Sequence, residues 1–138
     1  MLASFIAVIF ACYVINLLVA WSSYTPNKSK WDTAGISNYT LSVAYQIAFL
    51  EAQTTAVRDG ETTQVSGEAP YNYAISSVDE LFEEASQCRL PLLSLCSIEY
   101  DEQFGYPTKL VSRCPMIDCY TEIRVTAFEP QNDSIAIP

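Results

Sequence analysis

Apolar positions divide the chain into two unlike parts. From Met1 to Trp21 no side chain is charged, and the apolar residues run on without the polar face that a surface helix carries. About 21 residues at 1.5 Å each reach roughly 31 Å, the thickness of a hydrocarbon core. The pattern predicts a transmembrane helix over residues 1–21. A cleaved signal peptide is the rival reading, but no Lys or Arg precedes the apolar run, which is longer than a typical signal core. Cleavage ahead of Cys12, as in a lipoprotein, would leave a further apolar stretch in place of a polar tether.

Periodicity then stops. Residues 22–33 are polar, contain Pro26 and Asn27, and read as a short stalk. The domain begins near Trp31, with its body over 34–129 and a tail at 130–138. Tyr39, Leu41, Val43, Tyr45, Ile47 and Phe49 are apolar at every second position, the mark of a long strand with one buried face. The segments 54–58 and 61–66 flank Asp59-Gly60, a pair suited to the positive φ angles of a hairpin turn. Ser77 and Glu80 have capping-box spacing, and Val78, Leu81, Phe82 and Ala85 repeat along one helical face that ends near Cys88. Three more strands, at 95–101, 108–113 and 120–128, are separated by a turn at Gly105-Tyr106-Pro107 and a bend between Cys114 and Cys119. The expected fold is α+β: an antiparallel sheet covered by one helix, behind the N-terminal transmembrane helix.

In this order, Trp31 with Tyr39-Thr40-Leu41, Val57-Arg58-Asp59-Gly60, Val78-Asp79-Glu80-Leu81-Phe82 and Tyr100-Asp101 before Gly105-Tyr106-Pro107 carry a resemblance over about residues 31–129. Those residues resemble a family of small bacterial exported or lipoprotein-type domains of unknown function. The resemblance implies the fold and an exported location and brings no chemistry. A spanning helix here stands where lipoprotein members carry a lipid attachment, which points to residence beside other membrane helices.

The anchor itself suggests a partner. Ala3, Ala7 and Ala11 recur every four residues with Ser4 beside them, the small-residue stripe that lets helix backbones approach closely in lipid. Asn16 lies about 140° around the helix from Ala11. Its amide needs a hydrogen-bonding partner in hydrocarbon, or reaches toward the interface as Tyr13, Trp21 and Tyr24 would in an aromatic belt.

Five cysteines are present: Cys12 in the anchor and Cys88, Cys96, Cys114 and Cys119 in the domain. Four cysteines allow three pairings. Two local disulfides, Cys88 with Cys96 and Cys114 with Cys119, fit the predicted elements best, and such bonds belong in oxidising compartments. A four-thiolate zinc site is disfavoured, because the intervals between paired cysteines are at or beyond the usual ligand spacing. Lys28 and Lys30 would place the domain in the cytoplasm by the positive-inside rule. The cysteines argue for the periplasmic or extracellular side, and that is the expected topology.

Charge and composition narrow the function. Seven Lys plus Arg against sixteen Asp plus Glu give a formal charge of −9, which repels phosphate backbones and argues against nucleic acid as a partner. Histidine is absent, removing the commonest general base and metal ligand. No phosphate loop, dinucleotide fingerprint or nucleophile elbow occurs. The acidic group Asp79, Glu80, Glu83 and Glu84 suits the dipole at a helix start, and Asp101 and Glu102 read as the end of a strand, with a turn-stabilising bond one role for Asp101. Three N-glycosylation patterns, at Asn27, Asn38 and Asn132, are expected by chance.

These features predict no catalytic residues, no cofactor and no metal. They predict a single-span accessory subunit of a larger membrane complex, of respiratory or photosynthetic type, whose partners are integral-membrane subunits and lipid. An independent membrane-anchored binding or inhibitor domain is the alternative. A pilin-like subunit ranks last, because position 5 is Phe where such helices carry an acidic residue.

Overall fold

The computed structural model describes residues 2–46, 50–70, 74–88, 95–113 and 120–131, with only some of the side chains between 2 and 21 among them. In chain order the elements are α1 (Leu2–Ala34), β1 (Tyr39–Gln46), β2 (Leu50–Arg58), β3 (Glu61–Gly67), α2 (Val78–Gln87), β4 (Leu95–Tyr100), β5 (Pro107–Arg113) and β6 (Tyr120–Pro130). The strands form one antiparallel sheet in the order β3-β2-β1-β6-β5-β4. The fold is α+β.

Alternation on β1 works as expected: Tyr39, Leu41, Val43 and Tyr45 are buried, while Thr40, Ser42 and Ala44 are only partly covered on the opposite face. Leu41 opposes Phe128 and Tyr45 opposes Ile123 on β6, which carries the apolar face across the middle of the sheet. Ile47 and Phe49, expected to continue β1, lie outside the described residues. A register shift between Ser42 and Val43 marks a bulge, after which the apolar sides of the two strands stay aligned. Asp59 and Gly60 take φ of 51° and 83° and close the β2–β3 hairpin tightly, as the pair predicts.

α2 begins as its capping pattern requires. The Ser77 hydroxyl accepts from Glu80 N at 3.2 Å, and the Glu80 carboxylate accepts from Ser76 N at 2.5 Å, one residue ahead of the usual reciprocal partner. Val78, Leu81, Phe82 and Ala85 are buried against the sheet, and Cys88 caps the C-terminus.

The main departure lies at residues 22–33. They are not a stalk but part of the C-terminal portion of α1, which is continuous over 33 residues, about 50 Å. Pro26 lacks an N–H and lowers helix propensity, so sequence signals favoured a break there. Packing overrides that cost: Tyr24, Lys28 and Trp31 follow one another at four- and three-residue intervals on the face turned toward the domain. The Tyr24 ring stands edge-on to Phe82 at 5.6 Å, Lys28 Nζ sits 5.2 Å from the Phe82 ring centre, and Trp31 is 6 % exposed. Two helices, not one, therefore cover the sheet.

Among the described residues, no helix is long and apolar enough to cross a membrane. Many side chains of the expected span at 1–21 are outside that description, and the structure adds no support for the span. Ile6, Phe10, Ile15 and Leu18, which are described, are all largely exposed.

Candidate functional site

The residues that carry the sequence resemblance come together in space, and their centre is Tyr39. Its hydroxyl accepts from Val78 N at 3.0 Å, which satisfies a donor in the first turn of α2. Its carbonyl accepts from Arg58 Nη1 at 3.2 Å. The ring lies 5.7 Å from Trp31 and 5.4 Å from Phe128. Tyr106 joins the same aromatic group, 4.6 Å from Phe128 and 6.2 Å from Trp31. Asn38 Oδ1 accepts from Asp59 N at 2.9 Å and holds the hairpin to the start of β1. The junction thus joins the end of α1, β1, the β2–β3 hairpin, the start of α2, and the turn before β5. Burial pushes the Tyr39 hydroxyl above the usual phenol range and Tyr106 up to about 12, so both are neutral donors or acceptors at ordinary pH.

The turn before β5 is built by Asp101. Its carboxylate accepts from Gln103 N at 3.0 Å and Phe104 N at 2.6 Å, and its carbonyl accepts from Gly105 N at 3.0 Å. Gly105 has φ of 80°, and a Cβ there would lie 2.5 Å from the Asn27 carbonyl oxygen of α1. The turn and α1 touch closely enough to require glycine. Lys30 Nζ donates to the Glu102 carbonyl at 2.9 Å across the same contact. Pro26, Lys30, Thr33 and Phe104 line a shallow, open groove beside it.

The acidic start of α2 also has structural occupations. Asp79 pairs with Lys28 at 3.5 Å, Lys28 pairs with Asp32 as well, and Glu80 caps the helix. Burial, with the Glu83 charge beside it, raises the Glu84 carboxyl. Among the described residues, no group of three or more His, Cys, Asp or Glu is placed to hold a metal ion.

The face of the sheet away from the helices carries one polar group that sequence reading missed. Glu122, 8 % exposed, accepts from the Tyr120 hydroxyl and from Arg124 Nη2 at 2.5 Å. Hydrogen bonds from Tyr120 and then Arg124 hold its carboxyl below the usual range, while the Glu122 bond raises the Tyr120 phenol. The Arg113 guanidinium lies 5.4 Å from the Tyr120 ring centre, and Glu99 pairs with Lys109 at 3.4 Å on the neighbouring strands. The alternation Tyr120, Glu122, Arg124 is a period-two polar signal that could have revealed the group.

Ala7 and Ala11, singled out in the anchor, do not enter these clusters. Ala7 and Ala11 are exposed on α1, while the side chains of Ala3, Ser4 and Asn16 lie outside the described residues. Cys88 and Cys96 are both partly buried and no disulfide joins them, so the expected bond between them is not formed; the Cys96 side chain and burial push the Cys88 thiol up. Cys114 and Cys119 lie outside the described residues.

A family model described as a family of unknown function (DUF6174) matches residues 23–117, more than half of the chain. The match begins one residue before Tyr24, so it takes in the part of α1 that packs on the domain. No curated protein and no solved structure matches the chain.

Proposed function

The chain belongs to that family of unknown function, and on this premise we propose that it is a non-catalytic, single-span accessory subunit of a larger membrane complex. Its first 21 residues serve as the spanning segment, and the α+β domain braces or covers the complex on the periplasmic or extracellular side.

The observation that carries this reading is the continuity of α1. The helix enters the domain without a stalk, and Trp31 near its end is locked among Tyr39, Tyr106 and Phe128. A flexible tether would let the domain search; a continuous helix fixes it relative to whatever the anchor packs against. The uncharged sequence over 1–21, with Ala7 and Ala11 on the surface, suits close packing against other membrane helices. Asn38, the Tyr39 hydroxyl, Asp101, Asp79 and Glu80 are engaged in holding elements together, which suits a brace better than a reaction centre. Lys28 and Lys30 are engaged with Asp32, Asp79 and the Glu102 carbonyl, so their charges belong to the domain's own packing and weigh less as a cytoplasmic signal.

Native purification in mild detergent tests the proposal. The expected outcome is co-purification with defined integral-membrane subunits, weakened when Ala7 and Ala11 are both replaced by Leu. Recovery of a lone chain would sink it and favour an independent anchored binding domain.

A further inference from the structure

The six-stranded sheet ends on β4 at one side and on β3 at the other. β4 carries Glu99, ion-paired to Lys109, with a register shift beside it, and a charged, irregular edge of this kind resists further pairing. β3 is different. All seven of its residues are exposed, and from Thr62 to Ser66 it holds no charged residue and no proline. Val65 on this edge is 60 % exposed, the one large apolar side chain outside α1, among the described residues, to be so open.

The turn fixes which backbone groups face outward. Asp59-Gly60 is a two-residue loop, so Arg58 and Glu61 form the hydrogen-bonded pair that closes it, and bonded pairs then alternate along the ladder. Glu61 and Thr63 therefore direct their N–H and C=O groups to β2, whereas Thr62 and Gln64 turn theirs to the open edge. Past Gln64 the regularity ends: Thr55 opposes Gln64 and Thr54 opposes Ser66, which leaves Val65 as a bulge. The usable edge is short and centred on Thr63.

We propose that this edge pairs with the same edge of a second copy of the chain, antiparallel about a two-fold axis beside Thr63. Thr62 of each copy lies opposite Gln64 of the other, and these two bonded pairs give four N–H···O bonds. Thr63 meets itself across the axis, a favourable cross-strand pair. Glu61 comes opposite Val65 of the second copy and not its own counterpart, so like charges do not face each other and the Glu61 methylenes cover the exposed isopropyl group. The register is the one that self-pairing allows. An axis between two residues sets outward groups against inward ones, and an axis at Thr62 or Gln64 runs the pairing into the turn or the bulge. Each copy closes the other's β3 edge, so this pairing stops at two.

The full chain in detergent tests the pairing. Thr63→Cys should cross-link to itself under mild oxidation, because a non-bonded antiparallel pair holds its Cα atoms about 4.5 Å apart, within disulfide reach. Peptide mapping should find the two copies of position 63 joined, while Glu61→Cys, with the same native cysteines, should give no such link between copies of position 61. Sedimentation of the native chain should show a concentration-dependent dimer. Thr62→Pro removes an outward N–H and leaves the β2 ladder whole, so it should weaken the dimer about tenfold or more with a melting temperature close to native. Monomer at every concentration, equal cross-linking at positions 61 and 63, or a dimer indifferent to Thr62→Pro would each overturn the proposal. None of these outcomes involves a larger complex, so the pairing and the accessory-subunit reading fail separately.

Discussion

The hydroxyl of Tyr39 accepts the backbone N–H of Val78 at 3.0 Å, so the first strand of the sheet supplies a capping acceptor for the second helix. Val78 is fully buried, and no solvent can replace that acceptor. Tyr39→Phe keeps the ring among Trp31 and Phe128 and deletes only the oxygen. The expected loss is about 1–3 kcal/mol, the cost of orphaning a buried donor. Denaturant unfolding of the two proteins measures it; a change within a few tenths would show that α2 does not depend on this bond.

Two glycines with positive φ should respond differently to alanine. At Gly60 nothing lies within 4 Å of a built Cβ, so Gly60→Ala meets only the backbone penalty, about 1–2 kcal/mol. At Gly105 the same penalty is joined by a 2.5 Å approach to the Asn27 carbonyl oxygen and 3.0 Å to Lys30 Cβ. Gly105→Ala must move the turn or α1, and it is expected to cost clearly more than Gly60→Ala. Thermal unfolding of the pair checks the order, and equal losses would mean that the α1 contact is loose.

Buried phenols give the domain an alkaline limit. Burial pushes Tyr45 and Tyr106 up to about 12, whereas an exposed phenol titrates near 10. Below pH about 10 both are neutral in folded and unfolded chains, and their contribution is fully present. Between about 10 and 12 the unfolded chain releases protons that the folded chain retains, so stability falls as pH rises, by up to about 1.4 kcal/mol per pH unit for each phenol. Unfolding at stepped pH should show this decline. Tyr106→Phe should make it shallower, and an unchanged slope would exclude Tyr106 as a contributor.

The parts of the fold governed by short-range pattern were legible in the sequence. The every-second-residue apolar run gave β1, Asp59-Gly60 gave the hairpin, and Ser77 with Glu80 gave the start of α2, because each signal is local and has one good structural answer. The sequence could not show that β6 inserts between β1 and β5, since strand order depends on which apolar faces meet across the core. The C-terminal part of α1 was misread because Pro26 and its polar neighbours describe a stalk by propensity, and only the spacing of Tyr24, Lys28 and Trp31 hinted otherwise. In the candidate site, Asp101 was legible as a turn residue, whereas the disulfide expected between Cys88 and Cys96 is not formed. The covered carboxylate of Glu122 was missed because its bonds lie along one strand and show no contrast in a search for clustered motifs.

That misread segment supplies the sharpest remaining prediction, because a stalk and a core helix respond oppositely to removal. If residues 22–34 belong to the domain, a chain starting at residue 22 should fold and melt cooperatively, whereas one starting at residue 35 should not. The second truncation removes Trp31 from its contacts with Tyr39, Tyr106 and Phe128 and strips Tyr24 and Lys28 from Phe82. The Lys28 pairs with Asp32 and Asp79 are exposed on the acidic side, so they contribute at most about 1 kcal/mol, and the aromatic packing carries the effect. Trp31→Ala alone should therefore cost about 3–5 kcal/mol, far more than Asp79→Asn. Near-ultraviolet circular dichroism and denaturant unfolding of these four proteins decide the matter. A folded chain from residue 35, with native stability, would return 22–34 to the role of a stalk and remove the rigid coupling on which the accessory-subunit reading rests.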